Sequence, residues 1–517
     1  MRFYVNTILL MNWKTLSTLI LFCSIGWINS SKFYQNLGIV ITSILLIYCL
    51  WLLSARKLRK VKFYSYLTIL VIIPIMISTM NSYLLPKEFN ITAEFIAKSL
   101  SQRDDDTKSA YYTEVIENIK TSFRTNPTTS FSMLIEIDRE LNSEKLVASD
   151  FLNFLLSENI NPFLPSMPYD PVNTKLYMVK FFFLILLPLS LAIFLITNRQ
   201  KENIFYTLIF SCLVLSSIGI YFKYLYSSGL TIQDKEILGI WAAPEPRICF
   251  SSFSYKNHWS AYSLLILSTC FSMMIIISKK ETFTLLRSNK FIFLITSVIC
   301  IVFGIFYSNS NSGVILACLL IFIFLIISVF NKTGTKLYFL CIFFLISSIL
   351  IYYLLTSNLY HRLESFITGE SFRLHLWKDL LFQIQAKTFW GFGLESYQTL
   401  NGLFQSSEIT SARLQNLQGA HQLYIPITVH AHSDFLQLLT ELGFSGFCLF
   451  VFPVIFIILR NIISYDDPAF PYISYGLFVF LIYSIFDFPL RNHACLSMFI
   501  FLFSVCALSS SKKFNHF

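Results

Sequence analysis

The stretch HAHSDFLQLLTELGFSGFCLFVFPVIFIIL, residues 430–459, joins a polar beginning to an apolar run long enough to enter a membrane. Its first twelve residues hold two histidines, an aspartate, a glutamine and a glutamate. Ionisable side chains near lipid are costly, so their presence at the mouth of a membrane helix indicates a functional site. The stretch therefore predicts a membrane protein with polar chemistry at one end of this helix.

The composition of the whole chain agrees with this interpretation. Of 517 residues, 55% are hydrophobic and only 13% are charged, whereas soluble domains carry about 25% charged residues. The net charge is +10, but the basic residues lie in short loops between apolar runs, which argues against a nucleic-acid partner. The 11 cysteines lie mostly inside apolar runs without C-x-x-C spacing, so they predict neither a disulfide framework nor a metal site.

The fold class that we predict is an all-α polytopic membrane protein with about 12 transmembrane helices and two larger extracytoplasmic loops. A bilayer core needs about 20 apolar residues per helix. The segments that qualify are 15–30, 37–53, 63–84, 177–197, 204–226, 259–278, 291–308, 313–330, 337–356, 435–459, 471–486 and 493–509.

The basic residues give the orientation of these helices. With the N-terminus inside, the inner segments hold 18 Lys and Arg, and the short outer loops hold 5. The positive-inside rule therefore predicts that both termini are cytoplasmic. The expected divisions are N-terminal transmembrane helices (1–84), an extracytoplasmic helical insertion (85–176), transmembrane helices (177–356), a large periplasmic loop (357–434) and C-terminal transmembrane helices (435–517).

The histidines fall mainly on the predicted outer side. Seven of the eight lie there, and only His516 is predicted inside. Histidine is also common at wet interfaces, but His432 has a distinctive setting. Together with Gly443 and Gly446 it follows one helical face, on which the glycines would let a neighbouring helix approach closely. Asp434 and Glu441 belong to a second, polar stripe, which should face a wet cavity or protein rather than lipid, unless it is only a hydrogen-bonded helix end.

Two arginines in the outer segments are candidates for binding a phosphate group. Arg247 lies just before the sixth predicted span, and Arg373 lies in an amphipathic helical pattern one turn before Trp377. A guanidinium group is permanently charged and binds phosphate oxygens through paired hydrogen bonds. A salt bridge to Glu370 or a side chain snorkelling to the interface would also explain Arg373. Because neither a Walker A motif nor a Rossmann fingerprint is present, the energy of any reaction outside must arrive with the donor.

The histidine segment resembles the O-antigen ligase and polymerase superfamily of bacterial envelope glycosyltransferases. The ligases carry His, then Asn, Ser or Gln, nine residues, Gly, two residues and Gly. His432–Ser433, Gly443 and Gly446 fit that motif, although Phe447 and Cys448 stand where Thr-Thr often follows.

Two further segments extend the resemblance to roughly residues 230–510. RLHLWKDLLFQIQAKTFWGFGLESY (373–397) is similar to the family's Arg–x3–Trp helix and its Gly-x-Gly turn. RICFSSFSYKNHWSAY (247–262) is similar to the segment with the family's earlier arginine and an asparagine, here Arg247 and Asn257. The segment 85–176 is not explained by the resemblance.

The resemblance implies a chemical role for each of these residues. His432 would be the base that takes a proton from an acceptor hydroxyl, and Arg373 and Arg247 would bind the diphosphate of an undecaprenyl-diphosphate-linked glycan donor. These three are the expected catalytic residues. The expected substrate-binding residues are Asn257, Trp377, Asp434 and Glu441. No cofactor is expected, and no metal either, because the pair His430 and His432 lacks a third ligand at a credible position.

Several activities remain open at this point. The acceptor would be lipid A–core for a ligase, another lipid-linked repeat for a polymerase, or a serine side chain for a protein O-oligosaccharyltransferase. The histidine motif favours the ligase, acting at the periplasmic face of the bacterial inner membrane. A transporter or lipid flippase is the alternative of another class, but such proteins usually show repeats and polar groups near the bilayer midplane.

Overall fold

The fold is helical, as the apolar runs predict. The computed structural model describes residues 27, 93–97, 106–122, 133, 153, 201–227, 236–237, 241–242, 248–280, 288–330, 371–406, 408–409, 428, 430–463 and 470–510. The long helices in these residues are α1 (Asp106–Ser122), α2 (Lys201–Ser227), α3 (Lys256–Lys280), α4 (Asn289–Tyr307), α5 (Asn311–Phe330), α6 (Phe372–Ala386), α7 (Tyr397–Phe404), α8 (Asp434–Ile463), α9 (Phe470–Phe486) and α10 (His493–Ser510). A 3-10 helix, Pro489–Arg491, precedes α10, and two-residue strands β1 (Glu236–Ile237) and β2 (Trp241–Ala242) pair antiparallel.

Seven of the twelve predicted spans fall on described residues, and each of them coincides with a helix, namely α2, α3, α4, α5, α8, α9 or α10. Five of these helices are long and apolar enough to cross a membrane, while α9 and α10 are apolar but shorter. The prediction of an all-α polytopic membrane protein is confirmed. The spans predicted at 15–30 (apart from Trp27), 37–53, 63–84, 177–197 and 337–356 lie outside the described residues, so the total of about twelve stays a prediction.

One compact unit contains α2–α5, α9, α10 and the end of α8. Its central helix is α3, which contacts α2, α4, α5, α9 and α10. Within the most apolar stretch of α3, 94% of the residues are buried, against 50% in α4 and in α5. The serine and threonine side chains of α3 are buried with it, and small residues of this kind are typical of helix–helix interfaces in membranes.

Small residues allow the helices of this unit to pack closely. Gly476 of α9 lies directly against Ser268 of α3, and Gly313 of α5 lies against Ser260. The hydroxyl of Ser268 donates to the carbonyl of Leu265, 2.7 Å away, so it is satisfied within its own helix. Packing through Gly and Ser is typical of helices in membranes, where lipid tails are as apolar as leucine and close van der Waals contact drives association.

The outer helices leave apolar side chains exposed at helical spacing. Large apolar residues are exposed along α4, along α5 and along the second half of α8, where Phe452 and Phe456 are each about two thirds exposed. In the described residues these exposed positions form stripes along single helices, such as Ile315, Leu319, Phe322 and Ile326. Contiguous apolar surface of this kind is typical of contact with lipid.

The other compact unit contains α1, α6, α7 and α8 up to Pro453. Helix α1 lies in the segment 85–176, for which the sequence predicts a helical insertion. Helix α6 confirms that the residues around Arg373 form a helix. This unit therefore carries the histidine segment and the arginine helix together.

Candidate active site

The first turns of α8 pack against α6 and α7. Leu380 of α6, Tyr397 of α7 and Ala431 are fully buried against one another, and Trp377 and Leu436 pack on that cluster. Ala431 directly precedes His432, and Trp377 lies one turn after Arg373 on the same helix. The structure therefore brings the arginine–tryptophan helix against the segment that carries the histidine.

His432 lies two residues before α8, in an unusual backbone conformation. Its φ is 52°, in the left-handed region that residues other than glycine rarely adopt, and its side chain is half-buried. The turn lets the chain change direction, and Ser433 then caps the helix, because its Oγ accepts the N–H of Leu436 at 3.3 Å. Such conformations are strained and tend to occur at functional sites.

The two carboxyl groups of the predicted polar stripe are not open to water. Asp434 and Glu441 are both fully buried. The Nε2 of Gln437 donates to Oε1 of Glu441 at 3.0 Å, and Oε1 of Gln437 accepts the N–H of Ala431 at 3.2 Å. The stripe faces protein rather than an open cavity in this structure, and a role of Asp434 and Glu441 in substrate binding stays a prediction.

Helix α8 is broken at Gly443, which has φ 65° and ψ −178°. A continuous span was predicted there, with a neighbouring helix close to Gly443 and Gly446. The neighbour of Gly443 is instead the turn WGFG (390–393), together with Phe389. Gly391 and Gly393 of that turn have positive φ, as a tight turn requires.

Four main-chain hydrogen bonds connect this turn to the broken helix. The N–H groups of Phe392 and Gly393 donate to the carbonyls of Thr440 and Glu441, at 3.0 and 2.8 Å. The carbonyls of Thr388 and Phe389 accept from the N–H groups of Phe444 and Ser445, at 2.8 and 3.1 Å. A break leaves helix N–H and C=O groups without their usual partners, and the turn supplies them.

Residues 296–451 match the family model described as O-antigen ligase. The chain contains an O-antigen ligase family domain. The resemblance to that superfamily is therefore confirmed, over less than a third of the chain. No curated protein and no solved structure matches the chain.

The O-antigen ligase family domain includes most of the candidate site residues. Arg373, Trp377, His432, Asp434 and Glu441 lie within it. The match indicates a glycosyltransferase-like activity of the ligase or polymerase type. The individual roles of these residues stay predictions.

The two remaining candidate residues lie before the family domain. Arg247 is outside the described residues. Asn257, at the start of α3, is buried, and both ends of its side-chain amide are hydrogen-bonded. Its Nδ2 donates to Oη of Tyr255 at 2.9 Å and to a carboxyl oxygen of Asp487. Its Oδ1 accepts from the hydroxyl of Ser310 at 2.7 Å. The convergence of Arg247 and Arg373 with His432 on one cavity stays a prediction.

The cluster around Asn257 joins three chain segments that the sequence places on one side of the membrane. Asn257 lies in the first turn of α3, Ser310 lies between α4 and α5, and Asp487 follows α9. All three residues are buried, and Asp487 and Ser310 have no exposed surface. Sequence analysis missed Asp487, although an acidic side chain directly after an apolar run, as in IFDFP, is costly near lipid and therefore indicates a function.

A second missed residue is Asp379 of α6, which is only 2% exposed. One carboxyl oxygen accepts both the N–H and the hydroxyl of Ser406, at 2.9 and 3.0 Å, and so holds the chain that leaves α7. Burial raises the pKa of Asp379 to about 6, although these two hydrogen bonds act to lower it. The polar residues Asp379 and Gln383 lie four positions apart in the helical pattern, and this spacing could have drawn attention to them.

Asp379 should make the stability of the protein depend on pH. Its folded pKa of about 6 exceeds the ordinary value of 3.8, so the folded state holds this proton more tightly than the unfolded state. The resulting stability is complete below pH 3.8 and is lost as pH rises through 6, at about 1.4 kcal/mol per pKa unit. We expect Asp379→Asn to remove this component, so that thermal unfolding in detergent depends less on pH between 4.5 and 7. If the unfolding temperatures of the wild type and of Asp379→Asn change with pH in the same way, the raised pKa of Asp379 is contradicted.

No group of three His, Cys, Asp or Glu side chains that could hold a metal ion occurs in the part of the chain that the structure describes. His430 and His432 are both half-buried within the unit that holds α6.

Proposed function

We propose that this protein transfers a glycan from undecaprenyl diphosphate to lipid A–core, at the periplasmic face of the bacterial inner membrane and without a metal ion. The observation that carries the proposal is the placement of His432, in a strained turn at the mouth of α8 and beside the helix of Arg373 and Trp377, inside an O-antigen ligase family domain. Both termini are proposed to be cytoplasmic, on the distribution of Lys and Arg.

In the proposed reaction, His432 takes the proton of an acceptor hydroxyl as that oxygen attacks the anomeric carbon of the glycan. The bond from the anomeric carbon to the diphosphate oxygen breaks, and undecaprenyl diphosphate leaves with the electron pair. Arg373 and Arg247 stabilise the charge that develops on the leaving diphosphate. An imidazole with its ordinary pKa of about 6.5 is largely neutral at pH 7 and can accept the proton.

The length of α8 supports a site at the membrane surface. Its 30 residues would span about 45 Å as one straight helix, whereas about 20 residues cross the apolar core of a bilayer. About ten residues are therefore left over, and the break at Gly443 comes ten residues into the helix. The His432 end can then project beyond the core, where a lipid-linked donor and a water-soluble acceptor group can meet.

Deleting the gene and separating the surface glycans on a gel tests the proposed acceptor. We expect long chains attached to lipid A–core to disappear while lipid-linked polymer accumulates. Single repeats attached to lipid A–core would indicate a polymerase instead, and loss of glycan from proteins alone would indicate a protein O-oligosaccharyltransferase. Loss of the surface glycans together with accumulation of donor on the cytoplasmic side would indicate a flippase.

Replacing Arg373 by lysine tests its contact with the diphosphate. The change keeps the positive charge but removes the planar pair of donors, so we expect transfer in vitro to fall roughly tenfold or more, because a hydrogen bond to a charged group contributes about 1.5–3 kcal/mol. Lys378→Arg, the reverse exchange at an exposed position of the same helix, is the matched control. Full activity in Arg373→Lys would mean that only a positive charge is needed there.

A further inference from the structure

The backbone just before His432 is held by a side chain six residues further along the chain. The N–H of Ala431 donates to Oε1 of Gln437 at 3.2 Å. Ala431 is fully buried, so this N–H has no access to water, and an unmatched buried N–H would be costly. The glutamine thereby closes a loop around His432 and Ser433, the residues that make the left-handed turn and the helix cap.

The same glutamine amide is fixed at its other end. Its Nε2 donates to Oε1 of Glu441 at 3.0 Å, one helical turn further on. The main-chain carbonyl of Glu441 accepts the N–H of Gly393, so Glu441 is itself tied to the turn that fills the helix break. A continuous series of hydrogen bonds runs from Gly393 through Glu441 and Gln437 to Ala431. Gln437 and Glu441 are buried, at 2% and 0% exposure, so water does not weaken these bonds.

We infer that Gln437 is a positioning residue for His432, acting through the hydrogen bonds that connect Ala431 to Glu441. This inference rests on the proposed function, in which His432 is the base. Glutamine suits the task because one amide offers both an acceptor and a donor. His432 is half-buried at φ 52°, and the direction of its imidazole ring depends on the backbone that carries it. The ring therefore keeps its direction only while the preceding residue, Ala431, is held in place.

The test uses the purified full-length protein and a lipid-linked donor. Gln437→Met removes the acceptor and the donor but keeps the length of the side chain. We expect kcat to fall roughly 10- to 100-fold with KM nearly unchanged, because a displacement of about 1 Å at a reacting group can cost 10²-fold. Gln385→Met, at an exposed glutamine of α6, is the matched control and should retain normal transfer.

A double-mutant cycle with His432→Ala separates positioning from a general structural effect. If Gln437 acts through His432, Gln437→Met should cause no further loss of kcat in the His432→Ala background. An equal loss in both backgrounds would overturn the inference, and so would normal kcat in a folded Gln437→Met protein. Normal transfer by His432→Ala alone would instead overturn the proposed function, so the two failures can be told apart.

A second variant covers the case in which Gln437→Met does not fold. Gln437→Glu keeps an acceptor for Ala431 but places a second carboxyl group against Glu441, and we expect kcat to fall. In the His432→Ala background, Gln437→Glu should cause no further loss of kcat. An equal loss in both backgrounds, or a normal kcat in the folded Gln437→Glu protein, would show that the inference is wrong.

Discussion

Replacing His432 by alanine is expected to slow glycan transfer by roughly 10²–10⁴-fold, which is the usual contribution of a general base. The acceptor hydroxyl would then have to lose its proton to water while the new bond forms. The binding of the donor should change little, because the proposed diphosphate contacts belong to the arginines. The measurement is transfer in vitro with purified lipid-linked donor, with a chelator present so that a metal ion cannot contribute.

The left-handed backbone at His432 makes a second substitution necessary as a control for strain. With φ at 52°, alanine is strained there by roughly 1–2 kcal/mol, so part of any loss in His432→Ala could come from the turn itself. Asparagine tolerates this conformation, as histidine does, but cannot act as a base. We therefore expect His432→Asn to lose as much activity as His432→Ala while unfolding at nearly the temperature of the wild type.

His430→Ala is the control for the choice of histidine, since it lies two residues before the motif in the same unit. It should keep most of the transfer activity. If His430→Ala is inactive and His432→Asn is normal, the wrong histidine has been chosen. If both are normal, the base lies elsewhere, and Asp434 and Glu441 would be the next residues to replace.

The helices and the family could be predicted from the sequence because both depend on local patterns. Apolar runs of about 20 residues locate membrane helices whatever their neighbours are, and every predicted span that falls on described residues is a helix. The helix at Arg373 and the turn with Gly391 and Gly393 follow from local periodicity and from glycine. The motif from His432 to Gly446 identified the family that the comparison confirms.

The contacts between segments could not be predicted in the same way. The periodicity of residues 432–446 is that of an unbroken helix, and nothing in the local pattern distinguishes Gly443, where the helix breaks, from Gly446, where it does not. The break is stable only because residues 388–393, some fifty positions earlier in the chain, supply the missing hydrogen bonds. For the same reason the sequence left open whether the polar stripe faces a wet cavity or protein, and the structure shows Gln437 and Glu441 hydrogen-bonded to each other inside the protein.

The second large effect is expected at the break itself. Gly443→Ala should destabilise the protein by more than about 4 kcal/mol or prevent it from accumulating in the membrane. At φ 65° and ψ −178° the backbone is in a region that is essentially reserved for glycine, which costs other residues about 1–3 kcal/mol. A Cβ at Gly443 would also collide with main-chain atoms of Phe389 and Gly391, which cannot move aside as a flexible side chain can.

Gly446→Ala is the matched control for this substitution. Gly446 lies one turn further along α8 and is not among the glycines with positive φ. Alanine is the better helix former, so we expect Gly446→Ala to change stability by no more than about 1 kcal/mol. Thermal unfolding of the purified proteins in detergent, and their yield from membranes, are the measurements. Equal behaviour of the two variants would mean that the break is not required for folding.

Gly391→Ala tests the contact between the turn and the broken helix by changing the turn instead of the helix. A Cβ at Gly391 would collide with the main chain of Glu441 and Gly443, so this variant should be as unstable as Gly443→Ala. Because both changes destroy one set of four hydrogen bonds, the double variant should be scarcely less stable than either single variant. Additive losses would show that the two glycines act independently. Non-additive losses would show that the turn and the broken helix fold as one structure. That structure includes Glu441, which is hydrogen-bonded to Gln437, and Gln437 in turn holds the N–H of Ala431, next to His432.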